Sequence, residues 1–237
     1  MSFAQSSSAP VCDTDRSVAY SLQTDKLTAT MQIAKRVYSL AQERNDAGLM
    51  IGACQALACT ICFLGDFEMA KRYAMRGVQI WRSGGLQPPL EEVSAPAVMC
   101  LCWEALSKSF LGEIVSSRPT MAEAMSLAKE LNDTYGLAVA LNLSATLAHL
   151  ERNLADVQHY SSDLIELSTR HHFVQWIATG AVYRGWAHSA SGETAEGIAW
   201  IEQGIRDFRA TGLVLALPSY LTLKAEALHG ASYLRSS

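Results

Sequence analysis

Residues 176–212, WIATGAVYRGWAHSASGETAEGIAWIEQGIRDFRATG, decide the fold. They read as two antiparallel helices joined by a tight turn at Ser191-Gly192-Glu193. Gly185 and Ala187 in the first helix leave room for a second helix to press close. The second helix carries Ile198, Ile201, Gly204, Ile205 and Phe208 at three- and four-residue steps, one apolar stripe. A lone hairpin cannot bury that stripe, so it needs neighbours built the same way. The expectation is an all-α solenoid of stacked antiparallel hairpins, roughly ten helices, with no sheet.

Working outward, similar turns recur. Phe63-Leu64-Gly65, Phe110-Leu111-Gly112, Glu151-Arg152-Asn153, Ala190-Ser191-Gly192 and Leu228-His229-Gly230 each follow an apolar helix. With Gly65, Gly112, Asn153, Gly192 and Gly230 as the turning residues, the spacing is about 40 residues, inside the range of stacked supersecondary units. Seven residues ahead of the turn sits a small residue: Ala58, Ala105, Gly185, and in the third unit Ala145 or Thr146. Turns are expected near residues 45, 65, 85–95, 112–118, 133, 153, 172, 192 and 212.

The small-residue pattern resembles the tetratricopeptide repeat. Leu57-Ala58, Gly65-Asp66-Phe67, Ala70 and Gly77 match that family's small, Gly, Ala and small positions, as do Gly185, Gly192, Gly197 and Gly204. Ser117 and Gln158 depart from it, standing where the family has Ala, and the units exceed its usual length of about 34 residues. Over about residues 28–230, runs such as AKRVYSLAQERND and EGIAWIEQGIRDFRATG resemble the repeats behind the catalytic parts of bacterial adenylate cyclase-like and signal-transduction ATPase regulators. The resemblance implies a regulatory segment of a larger signalling protein; the lack of a signal peptide sets the expectation of a cytoplasmic location. Neither catalytic part is in this chain, and it holds no G-x-x-x-x-G-K-[ST] phosphate loop. The pattern also starts and stops within a repeat, as a piece of a longer array would.

Composition narrows the partners. Apolar residues make up 49% and charged residues 18% of the 237, with net charge −4 and no basic cluster. Nucleic acid, which is bound by neutralising phosphates, is not an expected partner. Residues 1–15 are small and polar, neither signal peptide nor anchor, and are expected to form a disordered tail before a single array over 16–237. Residues 47–65 lack charge but contain Gly48, Gly52, Gln55 and Thr60, so a buried helix is expected there and no membrane span. Residues 83–96, with Gly84-Gly85 and Pro88-Pro89, read as a hinge. Thr120-x-x-Glu123 fits a capping box that restarts a helix after Pro119.

Cys54, Cys59, Cys62, Cys100 and Cys102 could suggest zinc or redox chemistry, and a small helical enzyme using the Cys/His set is the alternative function. Their place inside apolar helices favours buried, reduced thiols without metal. His149 and His188 are read at about the same repeat position, as a packing slot. Glu104 and Arg184 hold a position the repeat family gives to Leu, so each needs a partner within the fold. No catalytic residue, cofactor or metal site is expected.

The resemblance further implies a concave face. By turn alignment it would be lined by Gln55, Cys59 and Phe63 in the first unit, and by Met99, Cys102, Leu106 and Phe110 in the second. Leu143 and Leu147 in the third and Val182 and Trp186 in the fourth complete it. The set has no Lys or Arg, so it suits an amphipathic helix of a protein partner or an apolar small ligand. The opposing reading is that superhelical curvature buries these side chains against one another. Self-association is expected through an array end, with Leu217, Leu221 and Leu228 as candidates.

Overall fold

A computed structural model describes residues 27–84 and 95–235. The tail 1–15, the start of the array at 16–26 and most of the 83–96 hinge lie outside the described residues. Ten helices and no strand are found among those described. They are α1 (Leu27–Arg44), α2 (Ala47–Phe63), α3 (Phe67–Gly84), α4 (Pro96–Phe110) and α5 (Ile114–Glu130). There follow α6 (Thr134–Leu150), α7 (Leu154–His171), α8 (Val174–Ala190), α9 (Thr194–Ala210) and α10 (Leu217–Arg235). The expected all-α, solenoid-like fold is what the chain adopts. No described helix is long and apolar enough to cross a membrane.

One device makes the turns. Asn45, Gly65, Gly112, Asn132, Arg152, His172, Gly192 and Gly212 all have positive φ, and from Gly112 onward they recur every 20 residues. Each left-handed residue except Gly212 lets the next amide fold back on the helix just ended: Asp46 N–H donates to the Ala41 carbonyl, Asp66 to Ile61, Glu113 to Lys108, Asn153 to Ala148 and Glu193 to His188. This closes helix carbonyls that would otherwise lack donors. The same following residue often starts the next helix. Asp46, Asp66, Asp133 and Asn153 accept from the amides of Leu49, Met69, Gly136 and Asp156, three residues on.

This register corrects three readings. The third turn pivots on Arg152, not Asn153, which assigns Ala145 as its small residue, moves the family's Ala slot from Gln158 to the buried Val157 and places His149 and His188 one position apart. Gly230 is no turn, because α10 runs through it to Arg235. Thr120 does not restart a helix: α5 begins at Ile114 and passes through Pro119, and the Thr120 hydroxyl donates back to the Ser116 carbonyl at 2.9 Å. The proline is tolerated because the carbonyl it deprives belongs to Val115, whose side chain is 91% exposed beside water.

The chain divides into two compact units, with the boundary inside α6 between Gly136 and Leu137. In the first, α1 packs on α2, α2 on α3, α3 on α4 and α4 on α5, while α2 also touches α4. In the second, α7 packs on α8, α8 on α9 and α9 on α10, while α8 also touches α10. Contact between alternate helices is what stacking hairpins produces. The first unit buries Leu57, Val98 and Leu101, and α2 is buried on nearly every side from Leu49 to Cys62. The second is built around Val157, Val182, Trp186, Ile201, Ile205 and Phe208, with Tyr220 and Leu223 from α10.

Glycine sets the α8–α9 spacing. A methyl group on Gly197 would lie 2.5 Å from the Gly185 carbonyl oxygen, and one on Gly204 would lie 2.7 Å from that of Ala178. The two backbones therefore touch. Gly197→Ala is expected to destabilise the protein by about 2–3 kcal/mol, as overpacking does. Gly52→Ala, in a helical position with nothing within 4 Å, is expected to leave stability unchanged or raise it by up to about 1 kcal/mol. Urea unfolding of both variants checks the contrast.

Candidate functional site

The expected concave set separates by burial. Cys59, Met99, Cys102, Leu106, Leu143, Leu147, Val182 and Trp186 are buried, and Gln55 is half-buried. Phe63 and Phe110 remain 43% and 44% exposed.

Those two rings belong to the Phe-Leu-Gly turns that end α2 and α4. Their neighbours Leu64 and Leu111 are exposed as well, as is Val115. The Phe63 ring meets Trp103 edge-on at 5.7 Å, and Phe110 stacks on Phe67 at 4.4 Å with 20° between planes. The first unit thus carries aromatic rings from α2, α3 and α4 along its turn edge. On the rim Asp66, Glu68 and Glu113 are exposed; Lys71, largely covered, bonds Glu113 at 2.7 Å and Glu68 at 3.0 Å, and the exposed Arg72 lies 3.8 Å from Glu68, which leaves the acidic groups in excess by one. The corresponding positions of the second unit, Leu150-Glu151 and Ala190-Ser191, hold no aromatic ring.

The five described cysteines are free thiols inside the first unit. Burial pushes Cys54 and Cys62 up to about 11, and holds Cys59, Cys100 and Cys102 above the ordinary thiol range. Thiols so protonated at neutral pH are poor nucleophiles and poor metal ligands. Glu104 is buried and paired with Lys108 Nζ at 2.6 Å, which also donates to Thr120 Oγ1 at 3.0 Å. That helical pair is therefore largely shielded from water. Arg184 lays its guanidinium 3.4 Å over the Trp200 ring, a cation–π contact across α8 and α9.

In the second unit, hydroxyl pairs link alternate helices: Thr146 Oγ1 lies 2.8 Å from Tyr183 Oη, and Thr179 Oγ1 lies 2.7 Å from Tyr220 Oη. Glu226 of α10 gathers the largest polar cluster. Its carboxylate accepts from Arg152 Nη1 at 2.5 Å and from Trp186 Nε1 at 2.9 Å, and lies 3.1 Å from His149 Nε2. Trp186 is thereby covered on its polar edge, with the His149 ring edge-on against it at 4.5 Å. The sequence pattern does not reveal this hub, since its members are up to 77 residues apart.

Burial by itself would raise the Glu226 carboxyl, but the bonds from Arg152, His149 and Trp186 outweigh it and hold it down at about 2. A depressed carboxyl stabilises the fold above its unfolded value, about 4.3, and loses that contribution as pH falls toward 2. The wild type is expected to lose on the order of 2–3 kcal/mol between pH 5 and 2 beyond what Glu226→Gln loses over the same interval. Denaturant midpoints of both proteins across that range check this.

No protein-family model matches the chain. No curated protein matches it either. Among solved structures, the chain is similar to the crystal structure of BtubC (BKLC) from P. vanneervenii, with TM-score 0.60 and 15% sequence identity, over 89% of this chain and 83% of that one. At that identity the likeness establishes a shared helical fold.

Proposed function

We propose that the chain is a non-catalytic, protein-binding helical-repeat module, the regulatory segment of a larger signalling protein, with the turn edge of its first unit as the docking surface. The observation that carries this reading is the pair Phe63 and Phe110, large rings left open on neighbouring Phe-Leu-Gly turns. Its occupant is an amphipathic helix of a protein partner. The helix's apolar face would cover Phe63, Leu64, Phe110 and Leu111, and basic residues flanking that face would meet Asp66, Glu68 and Glu113. Half-exposed aromatics beside buried ones suit binding anchors, whose truncation costs at least about 2 kcal/mol of affinity. Chemistry by the cysteines is disfavoured by their burial and raised pKa values.

Displayed amphipathic peptides with Lys-rich flanks, selected against the intact protein, test the proposal. A selected peptide is expected to bind at least about 30-fold more weakly to the Phe63→Ala/Phe110→Ala variant, at unchanged helix content. Equal affinity for both proteins, or peptides that prefer acidic flanks, would overturn it. Trp186→Ala is expected to behave differently, lowering stability by about 3–5 kcal/mol as a core truncation does. Thermal melts of the two variants separate anchor from core.

A further inference from the structure

We infer that the α8–α9 turn is a binding site for a divalent transition metal of the zinc type, held by His188, Glu193 and Glu196. One ligand atom from each of the three lies within 4.8 Å of the others. His188 Nδ1 is 2.6 Å from Glu193 Oε2. A tetrahedral zinc with ordinary Zn–N and Zn–O bonds places its ligands about 3.4 Å apart, so the His188–Glu193 contact opens and any wider separation closes, adjustments that exposed glutamate side chains make by rotamer change. Imidazole with two carboxylates suits zinc, and water completes an open fourth position.

Three features set this cluster apart from ordinary acidic residues at a helix start. Glu193 occupies the slot that Asp46, Asp66, Asp133 and Asn153 use to cap their helices; like Glu113 in the same slot of α5 its side chain makes no cap bond, but where Glu113 pairs with Lys71, Glu193 is turned onto His188. The imidazole is held on both sides: its ring stacks on Trp200 at 5.8 Å with 16° between planes, and Nε2 lies 3.5 Å from Gln158 Nε2 of α7. A side-chain amide there can turn its oxygen to an Nε2–H, the outer contact that orients a metal-binding histidine. The backbone beneath is fixed as well. A methyl on Gly197, next to Glu196, would fall 2.5 Å from the Ser189 amide nitrogen, next to His188, so the two ligand-bearing segments touch. Bound metal would staple α8 to α9 at their shared turn.

The test is calorimetric titration of the intact, chelator-treated protein with Zn²⁺ alone. One saturable site of micromolar affinity is expected. Glu193→Gln, Glu196→Gln and His188→Ala should each weaken it at least about tenfold, while His171→Ala/His172→Ala leaves it unchanged. Saturating Zn²⁺ should also raise the wild-type unfolding midpoint and fail to raise that of Glu196→Gln, a readout independent of the calorimeter. Absence of saturable binding below about 1 mM would overturn the site. So would affinity indifferent to all three ligand variants, or binding abolished by alkylating the cysteines.

Discussion

Every hairpin in this protein depends on a backbone that can turn left at one residue. An α-helix ends with carbonyls that have no partner, and a left-handed residue lets the following amides reach back to them. Here that residue comes every 20 positions from Gly112 to Gly212. Of the eight left-handed residues from Asn45 to Gly212, four are glycine, which takes the conformation without strain, and two are asparagine, which tolerates it. Arg152 and His172 take it at a cost that packing on either side must offset. Because the stop and the next start share adjacent residues, the helices have almost no freedom in length. Even length lets α2 meet α4, and α8 meet α10, along their sides.

On that scaffold the two units differ in what they leave open. The first is bound by close apolar packing, with buried cysteines and alanines, and its turn edge is aromatic. The second is bound by backbone contact through Gly185, Gly197 and Gly204, then by Thr–Tyr hydroxyl pairs and the Glu226 hub. Glu226 is half sheltered and accepts from cationic and indole donors, so its charge is stabilised more by those bonds than it is penalised by loss of water. Truncating it would strand Trp186 Nε1 inside the core as an unpaired donor, which is the costly half of such a loss. The outer side of α10 remains apolar at Leu221 and Leu228.

The stripe on α9 and the small residues at Ala58, Ala105 and Gly185 were readable because helix periodicity and close approach leave composition signatures. The turn at Arg152 is not legible in the sequence because arginine does not advertise a left-handed conformation, whereas the adjacent asparagine does. Gly230 misleads for the converse reason: glycine marks a turn only where the chain turns, and here a helix continues through it. Thr120 carried a capping signature that the fold left unused, since α5 had already begun at Ile114. Of the aligned inner-face residues, Phe63 and Phe110 are open and Trp186 is covered, although all three occupy turn-proximal positions. Their difference is made by Glu226, Arg152 and His149, which sequence alignment of the repeats could not bring to Trp186.

Local physics therefore settled what could be written along the chain. Apolar period gave the helices, glycine and Asn/Asp gave most of their ends, and the recurrence of both gave the stacked architecture. Tertiary structure decided which side chains are exposed, because exposure depends on what a distant helix lays over them. It also decided the polar pairings. Glu104 found Lys108 one turn along its own helix, Lys108 in turn reached Thr120 on the next helix, Arg184 found the face of Trp200, and His188 found Glu193 across a left-handed turn. The two that cross a turn depend on how α8 lies against α9, and that spacing is fixed by the contact between Gly185 and Gly197.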